Sequence, residues 1–133
     1  PRRVGWYSSF MIHAVRGAVK VAENSEKDIQ NAVNDLITTI VRKNRIKQKK
    51  IIAIQFTITS DLTEINPATA LRKHGYGKVP LFCMQEPDYK GSHPSMIRVL
   101  LFYRKLFDFR NPVPAYLNGA EKLRSDIFTH KHD

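Results

Sequence analysis

Apolar and polar positions alternate between strand-like and helix-like stretches along the first third of the chain. Residues 10–19 (FMIHAVRGAV) form a short apolar stretch that predicts a strand. Ser25 then stands as a candidate N-cap before a run of apolar residues at helical spacing. That run consists of Ile29, Ala32, Val33, Leu36, Ile37, Ile40 and Val41. It predicts an amphipathic helix of about five turns with one buried face.

The middle of the chain predicts a second strand and a short helix. Residues 51–59 (IIAIQFTIT) alternate, and the alternation places Ile52, Ile54, Phe56 and Ile58 on one face. The polar residues among them fall on the other face. Asn66-Pro67 predicts the start of a short helix, because Asn caps well and Pro suits the first helical position.

Two further strands are predicted in the second half. Residues 79–86 form the first. Because Pro80 cannot donate to a ladder, either this strand lies at a sheet edge or Pro80 lies at its start. Residues 96–107 form the longest strand, after a loop at residues 87–94. Residues 116–124 predict a short edge element.

These elements predict one α/β (α+β) domain over residues 1–133, with residues 1–10 as an N-terminal extension and residues 125–133 as a loose tail. A single long helix covers only one face of a four- or five-stranded sheet. The longest strand is apolar on both faces. We therefore predict that the bare face is buried against copies of the same chain.

Charge narrows the choice of partners. Lys and Arg number 22 against 12 Asp and Glu, and the resulting net charge of +10 favours an anionic partner. Residues 41–50 carry six basic side chains and no acid. Such a run is either a nucleic-acid patch or a solvated helix end. We favour the helix end and do not expect nucleic acid, because no aromatic residues interleave with the run.

Other composition features exclude several classes of protein. A single cysteine, Cys83, excludes an internal disulfide framework and a cysteine-rich metal site. The five histidines are scattered, so we expect no metal site. No apolar run approaches the roughly 20 residues that span a bilayer. We therefore predict a cytoplasmic protein without membrane contact.

Ionic groups occur on strand faces that are otherwise apolar. Arg98 shares a predicted face with Leu100 and Phe102, Arg16 with Ala14, and Glu86 with neighbouring apolar residues. An unpaired buried charge costs several kcal/mol, so these groups need partners. Either Arg98 and Glu86 pair with each other, or the arginines line a pocket for a polyanionic small molecule, which their planar forks bind well.

Five short motifs occur in a fixed order along the chain. They are residues 14–18 (AVRGA), 59–62 (TSDL) leading to 67–72 (PATALR), 79–86 (VPLFCMQE), 97–99 (IRV), and 116–117 (YL) with 123–124 (LR). This set, spanning residues 11–126, resembles the trimeric, barrel-like class of chorismate mutases. The resemblance implies a mixed five-stranded sheet with the long helix on one face. It also implies a homotrimeric pseudo α/β-barrel with active sites at subunit interfaces.

The resemblance implies a reaction and residue roles. The reaction is the Claisen rearrangement of chorismate to prephenate in the shikimate pathway to phenylalanine and tyrosine, without cofactor or metal. Arg16 and Tyr116 would bind carboxylates, Arg98 the ether oxygen, and Glu86 the ring hydroxyl. Further substrate contacts are implied for Ala68, Thr69, Arg72, Phe82, Cys83, Leu123 and Arg124. Cys83 would assist Glu86 through its backbone or its thiol, and residues 123–124 would belong to a mobile closing segment.

Three positions depart from the family pattern. Asn66 replaces a common aromatic, Thr69 a common lysine, and Phe82 a smaller residue. Two alternatives to catalysis stay open. These departures leave open a trimer that binds a small carboxylate ligand without turnover, and the basic residues 42–50 leave open a nucleic-acid-binding module.

Overall fold

The chain folds around a five-stranded mixed sheet, described for residues 10–128 in a computed structural model. The strands are β1 (Phe10–Lys20), β2 (Ile51–Ile58), β3 (Leu81–Gln85), β4 (Met96–Leu106) and β5 (Ala115–Leu117). Their order is β3-β2-β4-β1-β5. The central strand β4 is antiparallel to both of its neighbours, β2 and β1. The edge strand β3 runs parallel to β2, and the edge strand β5 runs parallel to β1. The predicted mixed five-stranded sheet is confirmed.

One long helix, α1 (Glu26–Asn44), covers one face of this sheet. The Ser25 hydroxyl accepts a hydrogen bond from the Asp28 amide at 3.1 Å, which confirms the predicted N-cap. Arg45 ends the helix in the left-handed region at φ 52°. The predicted apolar face is buried against sheet residues such as Val15, Phe56 and Leu101. Within residues 10–128, no helix is long and apolar enough to cross a membrane.

Shorter helical segments connect the strands. A second helix, α2 (Pro67–Leu71), begins where predicted, and the Asn66 side chain accepts a hydrogen bond from the Ala68 amide at 2.8 Å. It continues into a π-helical turn, Arg72–Tyr76, where Gly75 breaks helical geometry at φ 100°. A 3-10 helix, Gln48–Lys50, precedes β2.

The C-terminal region is more regular than the sequence predicts. A 3-10 helix, Ala120–Arg124, follows β5, and the short helix α3, Ser125–Phe128, follows it directly. The expected loose tail thus starts with a helical turn, while residues 129–133 lie outside the described residues. Residues 1–9 also lie outside them, and Phe10 is already part of β1.

The predicted face of β2 is wrong at its first positions. Ile51 is buried, whereas Ile52 is 39% exposed. The cause is an irregularity in the ladder with β4, where the register shifts between Ile51 and Ala53. A bulged residue shifts the strand's alternation by one position. Ile54 and Phe56 keep their predicted places in the core.

The sheet face opposite α1 is largely uncovered by the described part of the chain. It carries Ile12, Ala14 and Arg16 from β1, Gln55 and Thr57 from β2, Phe82 and Met84 from β3, and Arg98, Leu100, Phe102 and Arg104 from β4. We call this surface the open face. Only one corner is covered, where Ala120 and Leu123 pack with Ala18, Met96 and Tyr116. The predicted bare, partly apolar face is therefore present in the single chain.

Helix α1 packs directly on the backbone of β1 at Gly17. A Cβ at this position would lie 2.8 Å from the Ile40 Cδ1 and 3.0 Å from the Ala115 carbonyl oxygen. Overpacking of this kind costs about 1–3 kcal/mol. We expect Gly17→Ala to lower the free energy of unfolding by that amount, measured by urea denaturation. Gly77→Ala is the control, because no atom lies within 4 Å of its Cβ position and we expect no loss of stability. Equal stability of the two variants would contradict this packing.

Candidate active site

A cavity of about 340 Å³ opens on the open face near the covered corner. Four of its lining residues, Met84, Thr57, Arg98 and Tyr116, belong to one row of cross-strand neighbours that runs through all five strands. Ala18 is the fifth member of this row and is buried beneath the covered corner. Arg16 lies beside this row, opposite Leu100 of β4. Glu86 follows β3 directly and also lines the cavity. The register thus brings Arg16, Glu86, Arg98 and Tyr116 together, as the sequence analysis predicts.

Glu86 and Arg98 form an ion pair inside the cavity. Arg98 Nη1 lies 3.4 Å from Glu86 Oε2, and the side chains are 40% and 13% exposed, respectively. Thr57 donates a hydrogen bond from its hydroxyl to the other carboxylate oxygen, Oε1. The interpretation that Arg98 and Glu86 pair is therefore correct. The pair is long and monodentate, so much of the guanidinium still faces the cavity.

The C-terminal segment borders the cavity. Arg124 binds both carboxylate oxygens of Asp126, at 3.0 and 2.9 Å. These bonds, together with a hydrogen bond to Tyr116, raise the pKa of Arg124 above its usual value. Leu123 lines a small adjoining cavity with Glu86 and Arg98. Leu123 therefore lies beside the cavity, and Arg124 interacts with Tyr116 of the cavity lining.

The arrangement suits a small dianion that also carries a hydroxyl group. Arg16 and Arg98 supply two permanent cations, and Tyr116 supplies a phenolic donor. Glu86 supplies an acceptor for a hydroxyl proton. The charged and polar residues that line the cavity are mainly fixed cations and hydrogen-bonding groups, so the arrangement favours binding and electrostatic stabilisation.

Comparison with known proteins identifies the family. The family model described as chorismate mutase type I matches residues 12–127. The chain belongs to the type I chorismate mutase family. It is 34% identical to the chorismate mutase AroH of Thermus thermophilus over 118 residues, which cover 88% of this chain and 97% of the relative. The AroH protein of Bacillus subtilis (strain 168) is likewise 34% identical, over 123 residues that cover 92% and 97%.

A solved structure of the family has the same fold. The chorismate mutase from Clostridium thermocellum superposes with a TM-score of 0.73 at 34% sequence identity. The match covers 82% of this chain and 97% of that structure. The predicted family resemblance and fold class are thereby confirmed.

Several residues predicted to contact substrate do not reach the cavity within one chain of this family member. Ala68 is buried in the main core, and Thr69 and Arg72 lie on and beside α2, joined by a 3.3 Å hydrogen bond. Phe82 lies on the open face, one row away from the row that contains Met84. These residues occupy the β3 side of the sheet.

Cys83 is placed differently from the expectation that it assists Glu86. The two residues are three positions apart, so β-alternation puts their side chains on opposite faces of the strand. Cys83 packs against the main core, and burial raises the pKa of its thiol. Within one chain the thiol therefore lies on the other side of β3 from the Glu86 carboxylate, so the predicted assistance through the thiol does not occur in a single chain, and the predicted assistance through the backbone stays a prediction.

Sequence reasoning missed Thr57, Gln55 and Met84 as cavity residues. A signal for the first two was present, because they are the polar members of the alternating strand β2. Their proximity to Glu86 depends on the parallel register of β2 with β3, which pairs Thr57 with Met84 and Gln55 with Phe82.

The basic run lies away from the cavity. Residues 42–50 form the end of α1 and the turn that leads into β2, whereas the cavity lies at the opposite end of β2. Arg42 and Lys43 occupy the last turn of the helix, as the solvated-helix interpretation requires. Among the described residues, no group of three or more His, Cys, Asp or Glu side chains could hold a metal ion.

Proposed function

We propose that this protein is an isomerase that converts chorismate to prephenate, in the biosynthesis of aromatic amino acids. The observation that carries the proposal is the convergence of Arg16, Arg98, Tyr116 and Glu86 on one cavity in a chain of the type I chorismate mutase family. Chorismate is a dicarboxylate with a ring hydroxyl and an ether bridge. The cations, the phenol and the carboxylate complement those groups one by one.

The active site is completed by neighbouring subunits of a homotrimer. Two sets of predicted substrate contacts support this: one set lines the cavity or borders it, and the other lies on the β3 side of the same chain. When open faces pack against one another, the β3 side of one subunit meets the cavity of the next. Thr69, Arg72 and Phe82 then belong to the neighbour's contribution. The backbone of Ala68 and Cys83 belongs to it as well, because their side chains pack into the core of their own chain. Arg72 would replace part of the positive charge that Thr69 does not provide.

Catalysis in this site is conformational and electrostatic. A pericyclic rearrangement needs no acid, base or nucleophile from the protein. Arg16 and Tyr116 hold the substrate carboxylates, so that the reacting atoms stay in the compact conformer. Arg98 stabilises the negative charge that grows on the ether oxygen as the C–O bond breaks, and Glu86 accepts a hydrogen bond from the ring hydroxyl. No cofactor takes part in this scheme.

Turnover by purified protein tests the proposal. We expect the absorbance of chorismate to fall and prephenate to accumulate far faster than in buffer alone. The Arg98→Ala variant serves as the control for contaminating enzymes. Tight binding of chorismate without turnover would contradict catalysis and favour the carboxylate-binding trimer. A lack of both binding and turnover would contradict the assignment of the cavity.

Glu86→Gln is expected to reduce kcat by about tenfold, with a smaller effect on KM. The substitution keeps the size of the side chain but removes the charge that makes the carboxylate the stronger acceptor. Steady-state kinetics measures both constants. The matched control is Glu23→Gln, because Glu23 is exposed before α1 and outside the cavity. Unchanged kinetics in Glu86→Gln would make Glu86 a structural partner of Arg98 only.

A cytoplasmic location belongs to the same proposal. Fractionation of cells that express the protein tests it, and we expect the protein in the fraction of soluble cell contents. Recovery with the membranes or outside the cells would contradict this location.

A further inference from the structure

The carboxylate of Glu86 is held between two neighbouring strands. Its backbone amide donates to the Ile58 carbonyl at 2.9 Å and thereby extends the β2–β3 ladder by one residue. The Thr57 hydroxyl donates to Oε1, while Arg98 Nη1 approaches Oε2 at 3.4 Å. Thr57 and Arg98 are themselves directly opposite each other in the β2–β4 register. The two oxygens of one carboxylate thus have different partners.

The contact with Arg98 alone does not fix the orientation of this carboxylate. Arginine and a carboxylate prefer a bidentate pair with two parallel hydrogen bonds. If Glu86 turned both oxygens toward Arg98, two of the guanidinium N–H groups would be occupied by the protein itself. The same rotation would also turn the carboxylate away from a ligand hydroxyl. A second partner for Oε1 prevents both changes.

We propose that Thr57 is a positioning residue that holds Glu86 Oε1, so that Arg98 and the carboxylate both stay available to the substrate. The proposal rests on the proposed chorismate mutase function and adds a residue to that site. Thr57 does not need to touch the reacting atoms. Its hydroxyl acts through Glu86, in a charge-assisted hydrogen bond that only a donor at this position of β2 can make.

Thr57→Val tests the role of the hydroxyl, because valine has nearly the same shape and also favours strands. We expect kcat to fall by about tenfold, with a smaller change in KM, and Thr57→Ser to restore most of the activity. Thr59→Val is the matched control, because the Thr59 hydroxyl accepts a hydrogen bond from the Met96 amide at 3.0 Å, which is a structural role. We expect that control to lose stability but keep kcat per folded molecule.

A double-mutant cycle with Glu86→Ala separates positioning from structure. If Thr57 acts through Glu86, Thr57→Val has no further effect on kcat once the carboxylate is absent. An equal loss in both backgrounds, or an unchanged kcat in Thr57→Val, overturns the proposal.

The carbon-13 signal of the Glu86 carboxyl gives a readout that does not need turnover, with Glu86→Gln as the assignment control. We expect Thr57→Val to shift this signal and Thr59→Val to leave it unchanged. If wild-type protein lacks mutase activity while the shift is seen, the proposed function fails and the hydrogen bond stands. If the wild type is active and the signal does not move, the positioning role of Thr57 fails.

Discussion

Arg98→Ala is expected to lower kcat by about a hundred- to a thousand-fold while the protein stays folded. The loss falls on kcat because a fixed cation beside the breaking ether bond interacts more strongly with the transition state than with the bound substrate. The measurement is steady-state kinetics on protein whose folded fraction and sedimentation are determined in parallel. This is the largest single-residue effect that the site predicts.

The position of Arg98 explains why another residue cannot replace it. It occupies the middle strand of the sheet, β4, in the cross-strand row that lines the cavity. In the single chain its side chain is 40% exposed, so water reaches the guanidinium there. A neighbouring subunit that covers the open face would exclude water. Exclusion of water strengthens the interaction between the cation and the developing charge.

Further variants separate catalysis from structure at Arg98. Arg98→Lys is expected to recover only part of the activity, because an ammonium group cannot donate the two parallel hydrogen bonds that a planar guanidinium donates. Citrulline at position 98 keeps the shape without the charge and should be as inactive as alanine. Arg42→Ala, at an exposed position in the last turn of α1, is the control and should behave as wild type. If Arg98→Ala unfolds the protein but leaves activity per folded molecule unchanged, Arg98 is an ion-pair partner of Glu86 and no more.

The sequence predicts the elements of this fold better than it predicts their pairing. The i, i+3, i+4 spacing from Ile29 onward and the cap at Ser25 define α1 locally, and both are found. The irregularity at Ile52 depends on the partner strand β4, so alternation within β2 alone could not reveal it. Cys83 is a different case. Its distance of three residues from Glu86 already implied that the two side chains lie on opposite faces of the strand.

In the candidate site, too, some residues could be predicted from the sequence and others could not. Arg16, Glu86 and Arg98 were recognisable because charges on apolar strand faces need partners. The role of Thr57 was not recognisable, because a threonine in a strand is ordinary and its contact with Glu86 depends on long-range register. Ala68 and Arg72 lie outside the cavity of one chain, so their place in a site depends on assembly.

Ile12→Lys is expected to convert the protein to a folded monomer without mutase activity. Ile12 lies on the open face and is 73% exposed in the single chain, so lysine does not disturb the core. In a trimer that buries this face, the new charge would lie opposite Arg104 and would be desolvated. An unpaired buried charge costs several kcal/mol, and each 1.4 kcal/mol weakens association about tenfold. Sedimentation velocity at micromolar concentration, together with circular dichroism and the chorismate assay, measures assembly, folding and activity.

Phe109→Lys is the matched control for this experiment. Phe109 is 75% exposed, and its substitution likewise replaces a large apolar side chain with lysine. It lies in the loop after β4, where the neighbouring Val113 is bound by Asn44 at the end of α1, on the helix side of the sheet. Only the Ile12→Lys variant should therefore dissociate into monomers. If each active site takes residues from two chains, as proposed, activity should return as the concentration of the Ile12→Lys variant is raised and trimers form again. A wild-type protein that sediments as a stable monomer, or an Ile12→Lys monomer with full activity, would contradict both the trimer and the shared active site.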